Sequence, residues 1–181
     1  MNVYLKELVY FQKFKNKIKH NIIVFGSGRW AKVIISELLE NFPNIKHIII
    51  VTNYKNQLEK WKKKKNFKKM IITSNYKDLK KYDSNFALVV NKNEDHYKTC
   101  SKAINLNQNV LVEKPLRINE LSLKKLINES IKKKLFIYLS LPYLFANYFL
   151  YIKKKIIKKK KIKKINIEWF DKKNEIRYGF L

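Results

Sequence analysis

Between residues 21 and 139, short apolar runs alternate with stretches whose apolar residues recur at helical spacing, and this alternation restricts the fold more than any other feature. The runs are NIIVF at 21–25, KHIIIV at 46–51, MIIT at 70–73, FALVV at 86–90, VLVE at 110–113 and LFIYL at 135–139. Each has strand length. The intervals at 30–41, 57–65, 76–82, 94–105 and 120–133 read as helices; in the first, Ala31, Ile34, Ile35, Leu38 and Leu39 fall on one face and Pro43 follows the end. Six strands joined by helical crossovers make an α/β fold, a doubly wound parallel sheet. The last run opens the uncharged stretch LFIYLSLPYLFANYFLYI at 135–152, which has nearly the length of a membrane span. Pro142 breaks it, Ser140 and Asn147 are polar, and Tyr138, Tyr143, Tyr148 and Tyr151 are spread along it. A strand, a turn at Pro142 and a helix are expected there, and no membrane partner.

The chain of 181 residues, 46% hydrophobic, can build one core and the beginning of a second domain. Residues 1–20 form a basic amphipathic extension. Lys6, Glu7 and Lys13 interrupt its apolar residues, so it lacks the core of a secretory signal. Cys100 is the single cysteine, which excludes an internal disulfide and a multi-cysteine metal site; a cytoplasmic protein without a metal is expected.

A formal charge of +27 raises the question of a polyanionic partner. Of the 41 basic residues, however, only Arg29, Arg117 and Arg177 are arginines, and Ile, Asn, Tyr and Phe are abundant as well. A coding bias toward A and T produces that pattern, whereas selection for phosphate and guanine contacts favours arginine. The runs KKKK at 62–65 and KKKIIKKKKIKK at 153–164 are therefore read as solvated helix faces, with no specific nucleic acid bound. A basic RNA-associated protein is the third functional reading.

The first strand runs into IIVFGSGRWAKVI, in which Gly26, Gly28 and Ala31 make a G-x-G-x-x-A pattern containing two of the three glycines. Such a turn lets backbone approach a pyrophosphate and presents helix amino-terminal donors, which makes Gly26, Gly28, Arg29 and Trp30 cofactor-binding candidates. A glycine pair also serves a plain strand-to-helix turn. At the end of the second strand, where NAD sites place a carboxylate for the ribose, the sequence is VTNYKNQ. Thr52, Asn53 and Lys55 suit a 2′-phosphate better, so NADP is preferred to NAD. Against this, Lys55 is one lysine among many. In NVLVEKPL at 109–116, Glu113, Lys114 and Pro115 form the loop at the carboxyl end of a buried strand, where ligands of open α/β sheets bind.

The block FALVVNKNEDHYKTCSKAINLNQNVLVEKPL at 86–116, together with the glycine motif, resembles the amino-terminal part of the Gfo/Idh/MocA oxidoreductases over residues 20–140. Asn93 matches the family's turn asparagine, His96 the histidine that opens the following helix, and Glu113-Lys114-Pro115 the cofactor-proximal loop. The resemblance implies a Rossmann-type NAD(P)-binding domain over 21–141 and hydride transfer on a small carbonyl or sugar-like substrate. Asn91, Asn93, His96, Glu113, Lys114 and Pro115 lie near the cofactor on this reading. Lys114 is the catalytic residue, its ammonium binding a substrate hydroxyl and helping its proton leave or return. Pro115 fixes the loop, and Glu113 holds the loop or the ribose. Without its Glu113 and Pro115 neighbours Lys114 would read as a solvated loop charge, and His96 reads equally as helix-start packing.

Two positions depart from the family pattern: Lys92 stands in place of a proline and Leu144 in place of an arginine. Residues 142–181 supply only a linking helix and, at 165–170, the first strand of a truncated second α+β domain, which the family uses to cover the nicotinamide. Cofactor binding without turnover is therefore expected of the chain alone, and a homo-oligomer if a full second domain exists. A non-catalytic nucleotide- or partner-binding remnant is the second functional reading.

Overall fold

The structure, a computed structural model, describes residues 21–157. The extension expected at 1–20 and the strand expected at 165–170 lie outside the described residues. Six strands alternate with helices: β1 (Asn21–Phe25), α1 (Arg29–Asn41), β2 (His47–Val51), α2 (Lys55–Lys65), β3 (Met70–Thr73), a 3-10 turn (Tyr76–Lys81) and β4 (Ser84–Val89). A second 3-10 turn (Asn93–Asp95) leads into α3 (His96–Asn105), followed by β5 (Asn109–Val112), α4 (Glu120–Lys132) and β6 (Ile137–Leu139). A third 3-10 turn (Pro142–Phe145) precedes α5 (Asn147–Ile157).

The strands form one parallel sheet in the order β3-β2-β1-β4-β5-β6, the doubly wound Rossmann order. Successive side chains of a strand point to opposite faces, so strands covered on both sides are apolar throughout. Ile22, Val24, Ile48, Ile50, Phe86 and Leu88 pack on one face against Ala31, Ile34, Ile35 and Leu38 of α1 and Leu58 of α2. Ile23, Phe25, Ile49, Ala87, Val89, Val110 and Val112 pack on the other with Cys100, Ala103 and Ile104 of α3 and Leu126 of α4. Most of these are 0–2% exposed, and burying each large one is worth about 1.5–3 kcal/mol.

Helix ends follow local chemistry. Asn66, at φ 55°, stops α2 by returning its N–H to the carbonyls of Lys62 and Lys63, and Lys62–Lys65 complement the negative end of the helix. The Asn119 side chain caps α4 by accepting from the N–H of Ser122 at 2.8 Å. The helix expected at 57–65 begins at Lys55, and the segment at 76–82 is a 3-10 turn rather than an α-helix.

The described residues fall into two compact units dividing between Ala146 and Asn147; α5 belongs to the second. No described helix is long and apolar enough to cross a membrane.

Candidate functional site

The strand order reverses between β1 and β4: the chain leaves β1 for β2 on one side and reaches β4 on the other. Doubly wound sheets bind ligands outside the carboxyl ends at such a reversal. There the N–H of Gly26 donates to the carbonyl of Val51 at 3.1 Å, and the N–H of Val90 donates to the carbonyl of Phe25 at 2.9 Å. Gly26 has φ 125°, and a Cβ on it would stand 2.7 Å from the oxygen of Val90 and 2.9 Å from the nitrogen of Asn91. The chain itself requires glycine here.

Gly28 differs. Its φ of −66° suits any residue, and a Cβ on it meets nothing within 4 Å. It is the N-cap of the 13-residue helix α1, and no side chain caps that helix. The first amides of α1 stand at the positive end of a helix dipole, beside the space that a side chain on Gly28 would fill. This fits a diphosphate, with Arg29 and Trp30 exposed on the first turn.

The middle residue of the glycine turn ties it to β2. Ser27 Oγ and Thr52 Oγ1 are 2.6 Å apart, and Thr52 Oγ1 also accepts from the N–H of Tyr54 at 3.0 Å. Thr52 is 8% exposed, while Asn53, Tyr54 and Lys55 are exposed where α2 begins. The first turn of α2 contains no acidic residue. Where a ribose-binding carboxylate is usual, the exposed charge is the Lys55 ammonium.

Beyond β4, the Asn91 amide donates to Thr99 Oγ1 at 2.8 Å, and His96 Nε2 lies 3.2 Å from the carbonyl oxygen of Asn91. His96 and Thr99 are buried side by side on the first turn of α3. His96 Nδ1 and Asn91 Oδ1 are sealed from solvent without a hydrogen-bond partner. Asn93 is half-buried in the preceding 3-10 turn, whose Glu94 forms an exposed ion pair with Arg117 at 3.3 Å. The N–H of Glu113 donates to the carbonyl of Val89 at 2.9 Å, which brings the Glu113-Lys114-Pro115 loop beside the end of β4. The Lys114–Pro115 peptide is cis, and both residues are exposed.

Two titratable groups beneath this edge are shifted. Tyr76 stacks on Phe25 with ring centroids 5.7 Å apart; burial, then the charge of Asp95, raises its hydroxyl above the ordinary value, opposed by Lys98. Burial pushes the Cys100 thiol up to about 12, which leaves it protonated and unsuited to nucleophilic work. Among the described residues, no group of three or more His, Cys, Asp or Glu could hold a metal ion.

The expected site residues thus gather at one edge: Gly26 against Asn91, Thr52 against the glycine turn, His96 on Asn91, and Glu113 beside β4. Asn53, Lys55, Arg29 and Lys114 reach the same edge but stay exposed. Ser27 and Thr99 escaped the sequence reading. Their only signal is a hydroxyl inside a G-x-G turn and another three residues after a helix-opening histidine.

Residues 20–139 match the profile of GFO_IDH_MocA, an oxidoreductase family with an NAD-binding Rossmann fold. No curated protein matches the chain. Among solved structures, scyllo-inositol dehydrogenase from Lactobacillus casei, with bound NAD(H) and scyllo-inositol, superposes with a TM-score of 0.66 at 18% identity, over 77% of this chain and 41% of that one. UDP-N-acetylglucosamine 3-dehydrogenase from Acidithiobacillus ferrooxidans gives 0.63 at 11% identity, over 75% and 42%. At these identities the likeness is one of fold. The chain spans about two fifths of the length of these structures.

Proposed function

Since the chain belongs to the Gfo/Idh/MocA oxidoreductase family, with its NAD-binding Rossmann fold, we propose that the edge around Gly28 binds a nicotinamide dinucleotide, NADP in preference to NAD. The carrying observation is the uncapped amino terminus of α1 facing the space left by Gly28. Backbone N–H groups of Gly28 and Arg29 hold the diphosphate, with Trp30 on the same turn, and the Arg29 guanidinium adds charge. Asn53 and Lys55 take the adenosine 2′-phosphate. The acid-free first turn of α2 supports that choice, because a carboxylate there would repel the phosphate.

Asn91, Asn93, Glu113, Lys114 and Pro115 make up the nicotinamide side, with His96 buried behind Asn91. A bound nicotinamide supplies the hydride donor or acceptor. Lys114 binds a hydroxyl or carbonyl oxygen of a small carbonyl or sugar-like substrate; as an amine it would take the hydroxyl proton when hydride leaves the carbon, and as an ammonium it would give a proton to the carbonyl oxygen when hydride arrives. Its exposure lets it reach a substrate from the loop. Because the chain spans two fifths of the length of its solved relatives, binding without turnover is the second reading for this chain alone.

Fluorescence titration of the chain with NADPH and NADH tests this. NADPH binds more tightly, and Lys55→Asp reverses the order. Equal affinities overturn the NADP assignment; binding of neither dinucleotide overturns the cofactor site.

A further inference from the structure

Asn91 follows β4 where that strand's end lies against the glycine turn, its backbone nitrogen 2.9 Å from the position of a Cβ on Gly26. Two residues three apart on the first turn of α3 grip it. Thr99 Oγ1 receives its side-chain amide at 2.8 Å, and His96 Nε2 meets its backbone carbonyl at 3.2 Å. A carbonyl only accepts, so the imidazole donates from Nε2, which leaves Nδ1 as the ring nitrogen without a protein partner. That nitrogen is sealed from solvent without a partner, as is Asn91 Oδ1. An unmatched buried acceptor is a cost that an apolar side chain of similar size in the place of His96 would not carry. Packing alone therefore does not account for the imidazole; its bond to Asn91 does.

We propose that His96 and Thr99 are positioning residues for the cofactor: they clamp Asn91, and through it hold residues 90–91 against Gly26 so that the glycine turn keeps its phosphate-binding shape. They act through Asn91 without touching the cofactor. The link is continuous, since Val90 donates to Phe25 and Gly26 donates to Val51 across the same strand ends. The inference rests on the dinucleotide reading above for its ligand and on the clamp geometry for its mechanism.

The test compares the parent chain with His96→Leu, His96→Gln and Thr99→Val by NADPH titration, thermal melting and amide hydrogen exchange. His96→Leu and Thr99→Val melt within about 4 °C of the parent. They bind NADPH about tenfold more weakly, the worth of one internal hydrogen bond. His96→Gln, whose amide still donates to the Asn91 carbonyl, recovers most of the loss. Parental affinity in His96→Leu overturns the proposal, as does failure of His96→Gln to improve on it. A measurement on the parent alone does not depend on the variants folding: ring nitrogen NMR shows the Nε2–H tautomer at neutral pH, and an Nδ1–H tautomer overturns the clamp. If the parent binds no dinucleotide, the cofactor reading has failed; the clamp is then read from Val90 amide exchange, faster in His96→Leu if it holds and parental if it does not.

Discussion

The carbonyl oxygen of Val90 stands 2.7 Å from where a Cβ on Gly26 would lie, so the first and fourth strands meet through a residue that has no room for a side chain. At φ 125° the backbone is also one that other residues rarely adopt. Gly26→Ala should destabilise the fold by about 3 kcal/mol, whether or not a ligand is present. Gly28→Val should cost at most about 1 kcal/mol, since its φ is ordinary and nothing lies within 4 Å, yet it should lose cofactor binding. Urea unfolding and NADPH titration of both variants separate these roles; retained affinity in Gly28→Val would show that this glycine only makes a turn.

Thr52→Val removes the partner of two groups, Ser27 Oγ and the N–H of Tyr54, and should cost about 1–3 kcal/mol. Ser27→Ala breaks the same 2.6 Å bond from the other side. The double variant should therefore cost less than the sum of the singles by at least about 0.5 kcal/mol. A strictly additive cycle in urea unfolding would mean that the two hydroxyls are not coupled.

Lys114→Ala should leave NADPH affinity within about 1 kcal/mol of the parent, because the diphosphate contacts lie on α1. In a protein extended to the length of the solved relatives, the same change should lower the turnover rate by about 10² to 10⁴. Steady-state kinetics indifferent to the substitution would remove Lys114 from the chemistry.

Cys100 gives an alkaline signature. Its thiol has a pKa of about 12 in the fold against 9.0 ordinarily, so between those values the unfolded chain loses the proton first. Its contribution is complete well below pH 9 and falls as pH rises toward 12, at a slope approaching about 1.4 kcal/mol per pH unit. The stability difference between parent and Cys100→Ala, measured by urea unfolding, should narrow by about 1 kcal/mol between pH 9 and pH 10. An unchanged difference would contradict the shift.

The sheet was legible because its signal is local. Ile48, Ile49 and Ile50 are buried on alternating faces of one strand, and an uninterrupted apolar run announces that by itself. The glycine turn and the Glu-Lys-Pro loop were legible for the same reason, as short patterns at strand ends. Boundaries were harder wherever a turn competes with an element. The strand expected from 135 begins at Ile137, because Lys134 at φ 55° and the bond from the N–H of Leu135 to the carbonyl of Ser130 commit those residues to leaving α4. The helix expected from 94 starts as a 3-10 turn over Asn93–Asp95 before α3 opens at His96. The pairs that shape the site were not legible at all. Ser27 with Thr52, 25 residues apart, and Asn91 with Thr99 depend on how strand ends are brought together in space.

The central place of β1 has a consequence for the order in which the protein can be assembled on the ribosome. β2 and β3 emerge soon after β1, β2 pairing with one side of β1 and β3 with β2, but the other side of β1 waits for β4, whose Ser84 pairs with Asn21. Throughout that interval the nascent chain presents a half-sheet with an open, apolar edge of Ile23, Val24 and Phe25, a surface to which another strand can add. Arrival of β4 closes that edge of β1, while the second core still waits for α3, β5 and α4, so a stalled ribosome or a cut before residue 89 leaves an aggregation-prone intermediate rather than a smaller stable protein.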